Sequence, residues 1–188
     1  MIDYSAFDEF PKIQTNRLIL RPFESYDKEA LFSMRTDPNI MEYIDVPRPN
    51  TLDDVVPFLE KNMNQFSQKN GINWVITLKE TGEFIGFVGI HKIDEQNHRG
   101  EIGYSLKPAF WGNGIMTEAL NEVISFAFDR LKLHGLDANV NPENIGSQAI
   151  LKKLGFKKEA HFRENFFFDG NYLDSYIYCL LTSDWQRH

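Results

Sequence analysis

The sequence predicts an α+β domain built on a mixed, mostly antiparallel sheet, and three observations lead there. The stretch Glu101–Leu120 reads as a strand, a glycine-bearing turn and a long helix, and Leu136–Val140 after it reads as another strand. That order places two parallel strands on either side of a crossover helix. Short turns at Glu80-Thr-Gly-Glu83 and Asp169-Gly170 separate pairs of strand-like runs, so those pairs are antiparallel hairpins. Between the strands, apolar residues recur at helical spacing, which supplies helices to cover the sheet.

In chain order, Arg17–Phe23 alternates apolar and basic residues and reads as the first strand, ending at Pro22. About fourteen residues before it form an N-terminal extension. Ser25 is the expected cap of a helix running to about Arg35, with Asp27 and Glu29 in its first turn and Asp37-Pro38 as its stop. Asn39–Asn50 reads as a loop with an exposed aromatic lip. Thr51, with Asp53 and Asp54 after it, starts a second helix whose apolar positions are Val55, Phe58, Leu59, Met63 and Phe66. Trp74–Leu78 and Phe84–Ile93 are strands. In Glu101–Leu106, Glu101, Gly103 and Ser105 alternate with Ile102, Tyr104 and Leu106, the period of a strand with two different faces. From Ile115 a helix carries Glu118, Glu122, Ser125 and Asp129 as a solvated stripe. Asn144–Leu154 is a helix closed by Gly155, and Phe156–Phe168 with Tyr172–Leu181 is the last hairpin.

The 188 residues fit one domain, and 42% hydrophobic with 25% charged is ordinary for a soluble globular chain. The formal net charge of −7 argues against general nucleic-acid binding and is compatible with cationic acceptors. Apolar runs fall short of a membrane span and the N-terminus lacks a signal-peptide layout, so a cytoplasmic protein away from membranes is expected. The one cysteine, Cys179, excludes an intrachain disulfide and a cysteine-based zinc site, and it lies in an apolar strand pattern where an inert thiol is expected. The five histidines show no ligand spacing, so no metal is expected.

Gly112 and Gly114 stand between strand and helix, where unpaired backbone N–H groups and the positive end of the helix dipole attract an anion. No Gly-Lys-Ser/Thr follows and the third glycine of a dinucleotide fingerprint is missing, so backbone amides would hold the anion without a lysine or a metal. The same glycines could equally do no more than make a tight turn.

Trp111-Gly-Asn-Gly-Ile-Met116, followed by Thr117-Glu-Ala, resembles the acetyl-CoA loop of the GNAT superfamily of N-acetyltransferases in the form typical of ribosomal-protein-alanine/serine N-acetyltransferases. Trp111 replaces the general motif's Gln or Arg and Met116 its Gly or Ala. The likeness extends to Thr15-Asn-Arg-Leu-Ile-Leu-Arg-Pro22, Asn141-Pro-Glu-Asn-Ile-Gly-Ser147, Leu154-Gly-Phe156 and the strand from Asp174 to Trp185. It implies a single N-acetyltransferase domain over 1–188, helices on both sheet faces, and a splayed parallel pair whose gap admits pantetheine. It also implies acetyl-CoA as co-substrate, bound by Leu106, Trp111, Gly112, Asn113, Gly114, Ile115, Met116, Thr117, Asn144 and Ser147, and a homodimer. The first two helices and their loop would line the acceptor side.

Acetyl transfer from a thioester to an amine needs a positioned neutral amine, a route for its proton and a donor for the departing thiolate, with no protein nucleophile. Glu101, opening the strand expected to pass the thioester, is the candidate for the proton route, or else an exposed strand-end acid. Asn144 resembles the family's pantetheine-binding asparagine and is also an ordinary helix N-cap. Ser147 resembles the family's thiolate-protonating serine. Many relatives place a tyrosine four residues further on, where this chain has Leu151, and some place a glutamate where Phe166 stands. The expected acceptor is the N-terminal amine of a ribosomal or other protein. A small-molecule amine such as a polyamine or an antibiotic, and a silent acetyl-CoA-binding protein, are the alternatives.

Overall fold

The computed structural model describes residues 1–186. The chain runs β1 (Ile13–Gln14), β2 (Leu18–Arg21), α1 (Lys28–Thr36), α2 (Val56–Ser67), β3 (Ile72–Leu78), β4 (Phe84–Asp94), β5 (Arg99–Leu106), α3 (Ile115–Ser125), β6 (Gly135–Val140), α4 (Ile145–Lys153), β7 (Lys157–Phe168) and β8 (Asn171–Leu181). Among the described residues the strands form one sheet in the order β1-β2-β3-β4-β5-β6-β8-β7, antiparallel throughout except for β5 and β6.

Period-two alternation decides what each face meets. In β3, Ile72, Trp74 and Ile76 join the core under α3 and α4, while Val75 joins the smaller core under α1 and α2. Both faces of that strand are covered, so nearly all of it is buried. Helix α3 is anchored by Ala119, Leu120, Val123 and Ile124, all fully buried, each of the larger ones contributing about 1.5–3 kcal/mol.

The site is positioned by where the parallel pair stops. Strands β5 and β6 pair at Arg99 with Gly135, Gly100 with Leu136 and Glu101 with Asp137, and not beyond. Arg99 clamps this end, its Nε donating to Asp137 Oδ2 at 3.0 Å. Past Glu101 the strands part, giving the expected splayed pair.

Several local readings change. The first strand is shorter than Arg17–Phe23 and forms a hairpin with β1. The N-terminal extension packs against the sheet: Ile2, Ala6 and Phe7 are buried, and Pro11 O accepts from Trp74 Nε1 at 2.7 Å. Glu24, not Ser25, caps the turn before α1, because Asp27 reaches back to the Glu24 amide at 2.8 Å while paired with Arg21. Ser125 is buried rather than solvated, because the end of α3 and the π turn that continues it over Phe126–Arg130 are covered all round from Val123 to Phe128. Met63 is exposed and Asn62 buried, a one-position rotation of the α2 stripe. The 39–50 loop folds inward, with Ile40 and Met41 buried, instead of presenting an aromatic lip.

Candidate active site

The loop between β5 and α3 takes its shape from two glycines at φ +73°, Gly112 and Gly114. A Cβ on Gly112 would meet nothing within 4 Å, and one on Gly114 only Arg17 Nη2 at 3.7 Å. Packing therefore does not demand glycine here. The left-handed backbone does, and it leaves the outer surface of the loop bare. The first helical hydrogen bond runs from Glu118 N to Gly114 O at 3.0 Å, so the amides of Ile115, Met116 and Thr117 have no intrahelical acceptor. The Ile115 and Met116 side chains are buried and fix those amides at the open helix end. This fits a phosphate-bearing ligand held by backbone.

Two contacts fix the loop. Trp111 Nε1 donates to Leu106 O at 2.7 Å, tying the loop to the end of β5 at one of the residues expected to bind the cofactor. Arg17, which the sequence reading gave no role, donates through Nε to Glu118 Oε2 at 2.7 Å and through Nη1 to Asn113 O at 2.9 Å. Burial pushes the Glu118 carboxyl up, but hydrogen bonds from Thr15 and Arg17 outweigh it and hold it below the usual range.

Where β5 and β6 part, Tyr104 of β5 meets Ser147 of α4, hydroxyl to hydroxyl at 2.7 Å. Asn144 caps α4, its Oδ1 accepting from Ser147 N at 2.9 Å, and its Nδ2 has no partner among the described residues. Burial pushes the Tyr104 phenol up to about 12, so it keeps its proton at physiological pH. Leu151 is fully buried. The hydroxyl partner for Ser147 thus comes from across the gap and not from the next turn of its own helix. Period-two reading had counted Tyr104 only as an apolar position; the signal available was that a buried tyrosine hydroxyl needs a partner.

Beside this pair a cavity of about 270 Å³ lies between α1, α2 and the sheet. Met34, Met41, Ile44, Phe58 and Phe87 supply apolar wall, and His91, Gly103 and Ser105 belong to its sheet side. A Cβ on Gly103 would come within 3.3 Å of His91 Nε2, so the glycine leaves room for the imidazole. Asn73 Nδ2 lies 3.3 Å from His91 Nδ1, and burial lowers the His91 pKa to about 4, leaving the ring neutral. Histidine spacing carried no hint of this residue, because its neighbours arrive from other strands.

Glu101 lies opposite His91 on the same sheet face, but its Oε2 accepts from Lys92 Nζ at 2.8 Å and it does not line the cavity. Phe166 lies on β7, its ring stacked at 6.5 Å on Phe168. Phe168 and Asp169 line a second depression with Glu42, Asp45 and Arg48. It shares Met41, Ile44 and Val46 with the first. No group of three or more potential metal ligands occurs among the described residues.

The sheet opens beside a bare helix end, and the acetyltransferase (GNAT) domain family matches residues 17–157, so the chain belongs to that family and is an N-acetyltransferase. Its relatives include the N-acetyltransferase YoaA of Bacillus subtilis, 31% identical over 172 residues, covering 92% of this chain and 97% of YoaA. A second Bacillus subtilis protein, YdaF, named as a ribosomal N-acetyltransferase, is 31% identical over 122 residues, covering 65% of this chain and 66% of YdaF. A GNAT-family acetyltransferase from Bacillus anthracis superposes with a TM-score of 0.80 at 28% identity, covering 91% of this chain and 98% of that one.

Proposed function

We propose that the protein transfers the acetyl group of acetyl-CoA to a primary amine, namely the N-terminal amine of a ribosomal or other cytoplasmic protein. The observation that carries the proposal is the run of uncovered amides at the head of α3, a few residues after the parted strand β5 that borders the cavity. Gly112, Asn113, Gly114, Ile115, Met116 and Thr117 would hold the pyrophosphate, and Leu106, Asn144 and Ser147 the pantetheine arm. Acetyl-CoA supplies an activated thioester when bound.

The chain's own residues then have two proton tasks. Glu101, on the cavity face of β5 one alternation from Gly103, receives the amine's proton through water. Ser147, hydrogen-bonded to the protonated Tyr104 at 2.7 Å, donates to the departing thiolate, and solvent returns a proton through the pair so that both hydroxyls end the cycle protonated. This pair favours an enzyme over a silent binding protein. No carboxylate lines the cavity, which favours a peptide N-terminus over a polyamine, whose further ammonium groups would need anionic partners there. The adjoining depression, with Glu42, Asp45, Asp169 and Arg48, offers a continuing polypeptide a mixed-charge surface.

The reading extends to a homodimer. Strand β7 is exposed along almost its whole length at the sheet edge, with Phe162 50% and Phe167 60% exposed, an edge that a second copy would cover.

The test is Gly114→Val, which adds a branched side chain at φ +73° and covers the amides. Acetyl-CoA affinity measured by calorimetry should fall while the fold is retained. Unchanged affinity in a folded variant would remove the loop assignment.

A further inference from the structure

Four arginines on β2, α1, β5 and the turn before β2 are held by the fold, and three of them bind a carboxylate: Arg17 with Glu118, Arg21 with Asp27 and Arg99 with Asp137. Arg35 of α1, about as enclosed as Arg21, has no carboxylate partner among the described residues. Its guanidinium lies 4.7 Å from the centre of the Phe58 ring, and its one hydrogen bond, from Nη2 to Pro47 O, is 3.3 Å long. Both Arg35 and Phe58 line the cavity. Lys61, exposed at the same cavity, also lacks an ion-pair partner among the described residues.

The remaining lining offers nothing to neutralise these cations. It includes Asn62, Gln65, Asn73 and a neutral His91, and no Asp or Glu. The nearby acids Glu42 and Asp45 belong to the second depression. Nor is Arg35 needed for the cofactor's phosphates, because none of residues 111–117 lines this cavity. A half-buried cation in a largely apolar chamber, with one long hydrogen bond to a carbonyl and its other N–H donors unassigned, is a receptor for a carboxylate, which guanidinium binds through two parallel hydrogen bonds.

We propose that the cavity selects an acceptor whose reactive amine is accompanied by a carboxylate, received by Arg35 with Lys61 at the rim. The proposal rests on the acetyl-transfer reading and narrows it. The carboxylate can belong to an acidic first side chain of a polypeptide or to the α-carboxylate of a free amino acid. Both present an anion a few bonds from the amine.

Two matched pairs separate the sources: the peptide amides Glu-Ala-Ala and Gln-Ala-Ala, and L-leucine against L-leucinamide. Coenzyme A release is followed with acetyl-CoA and each acceptor. Calorimetry of the coenzyme A-loaded full chain with the N-acetylated form of each gives binding without turnover. In at least one pair the acid should be favoured about tenfold or more in both kcat/KM and affinity. In Arg35→Gln that preference should shrink to about twofold or less, and Arg35→Lys should restore part of it. A merely structural Arg35 would depress both members of a pair alike and leave the ratio unchanged. The proposal is overturned if the amide is bound as well as the acid in both pairs, if neither member of either pair binds, or if the preference survives Arg35→Gln. Preferred turnover of spermidine, included as a further acceptor, would overturn it while leaving acetyl transfer standing; loss of acetyl-CoA binding altogether would instead remove the underlying reading.

Discussion

Tyr104 and Ser147 share one hydrogen bond across the gap between β5 and α4. If the pair protonates the leaving thiolate, Ser147→Ala and Tyr104→Phe should each lower turnover with little change in acetyl-CoA affinity, because the hydrogen bond they serve strengthens mainly in the transition state. The double variant should be little worse than the slower single one, since the two act as a unit. Lower melting temperatures with normal turnover would reduce both to structural roles. Glu101→Gln removes a proton acceptor at constant size, and turnover should fall about 10²-fold. An unchanged rate between about pH 6 and pH 9 would leave Glu101 as the partner of Lys92 alone. A sequence motif pointed to Ser147, which the fold sets against the Tyr104 hydroxyl. Tyr104 was not, because a strand pattern records an aromatic ring as apolar and says nothing of its hydroxyl.

At the scale of elements, the turn into α3 was readable to the residue, since positive φ at Gly112 and Gly114 is a property of glycine itself. The brace behind it was not. Arg17 and Glu118 are 101 residues apart, and only folding brings them together. Removing the brace with Arg17→Ala should weaken acetyl-CoA binding several-fold by freeing the Asn113 carbonyl. With Arg17 about half exposed, the stability loss should stay within about 1 kcal/mol. A calorimetric affinity equal to the parent's would show that the loop holds its shape unaided. The point where β5 and β6 part was equally invisible locally, because no residue at Ile102 or Ala138 forbids further pairing. The capping of α1 was misread for a related reason: Ser25 is a good cap in isolation, but Asp27 has both the Glu24 amide and Arg21 to satisfy it.

At the scale of the whole molecule, the cavity beside β5 is assembled from α1, the 40–46 loop, α2 and three strands, and none of those segments announces it alone. Its neutral His91 links the cavity to global stability. The folded pKa of about 4 lies below the ordinary 6.5, so between those values the unfolded chain binds a proton that the folded chain does not. His91 therefore lets stability stand in full above about pH 6.5 and erode as pH falls toward 4, by at most about 1.4 kcal/mol per pH unit. Urea denaturation of the parent and His91→Asn across that range should show a shallower decline in the variant; parallel declines would contradict the assignment. The exposed β7 edge predicts a dimer by sedimentation velocity that Phe162→Lys dissociates, and a monomeric parent would contradict it. Acetyl transfer to an amine is read out by single-turnover mass spectrometry. The full chain is mixed with acetyl-CoA and a panel of N-terminal peptides, polyamines and aminoglycosides. One acetyl group should appear on the α-amine of a peptide in the first turnover; acetylation of a polyamine or aminoglycoside instead would exclude the peptide acceptor, and acetyl-CoA bound with no amine of the panel acetylated would rule out acetyl transfer.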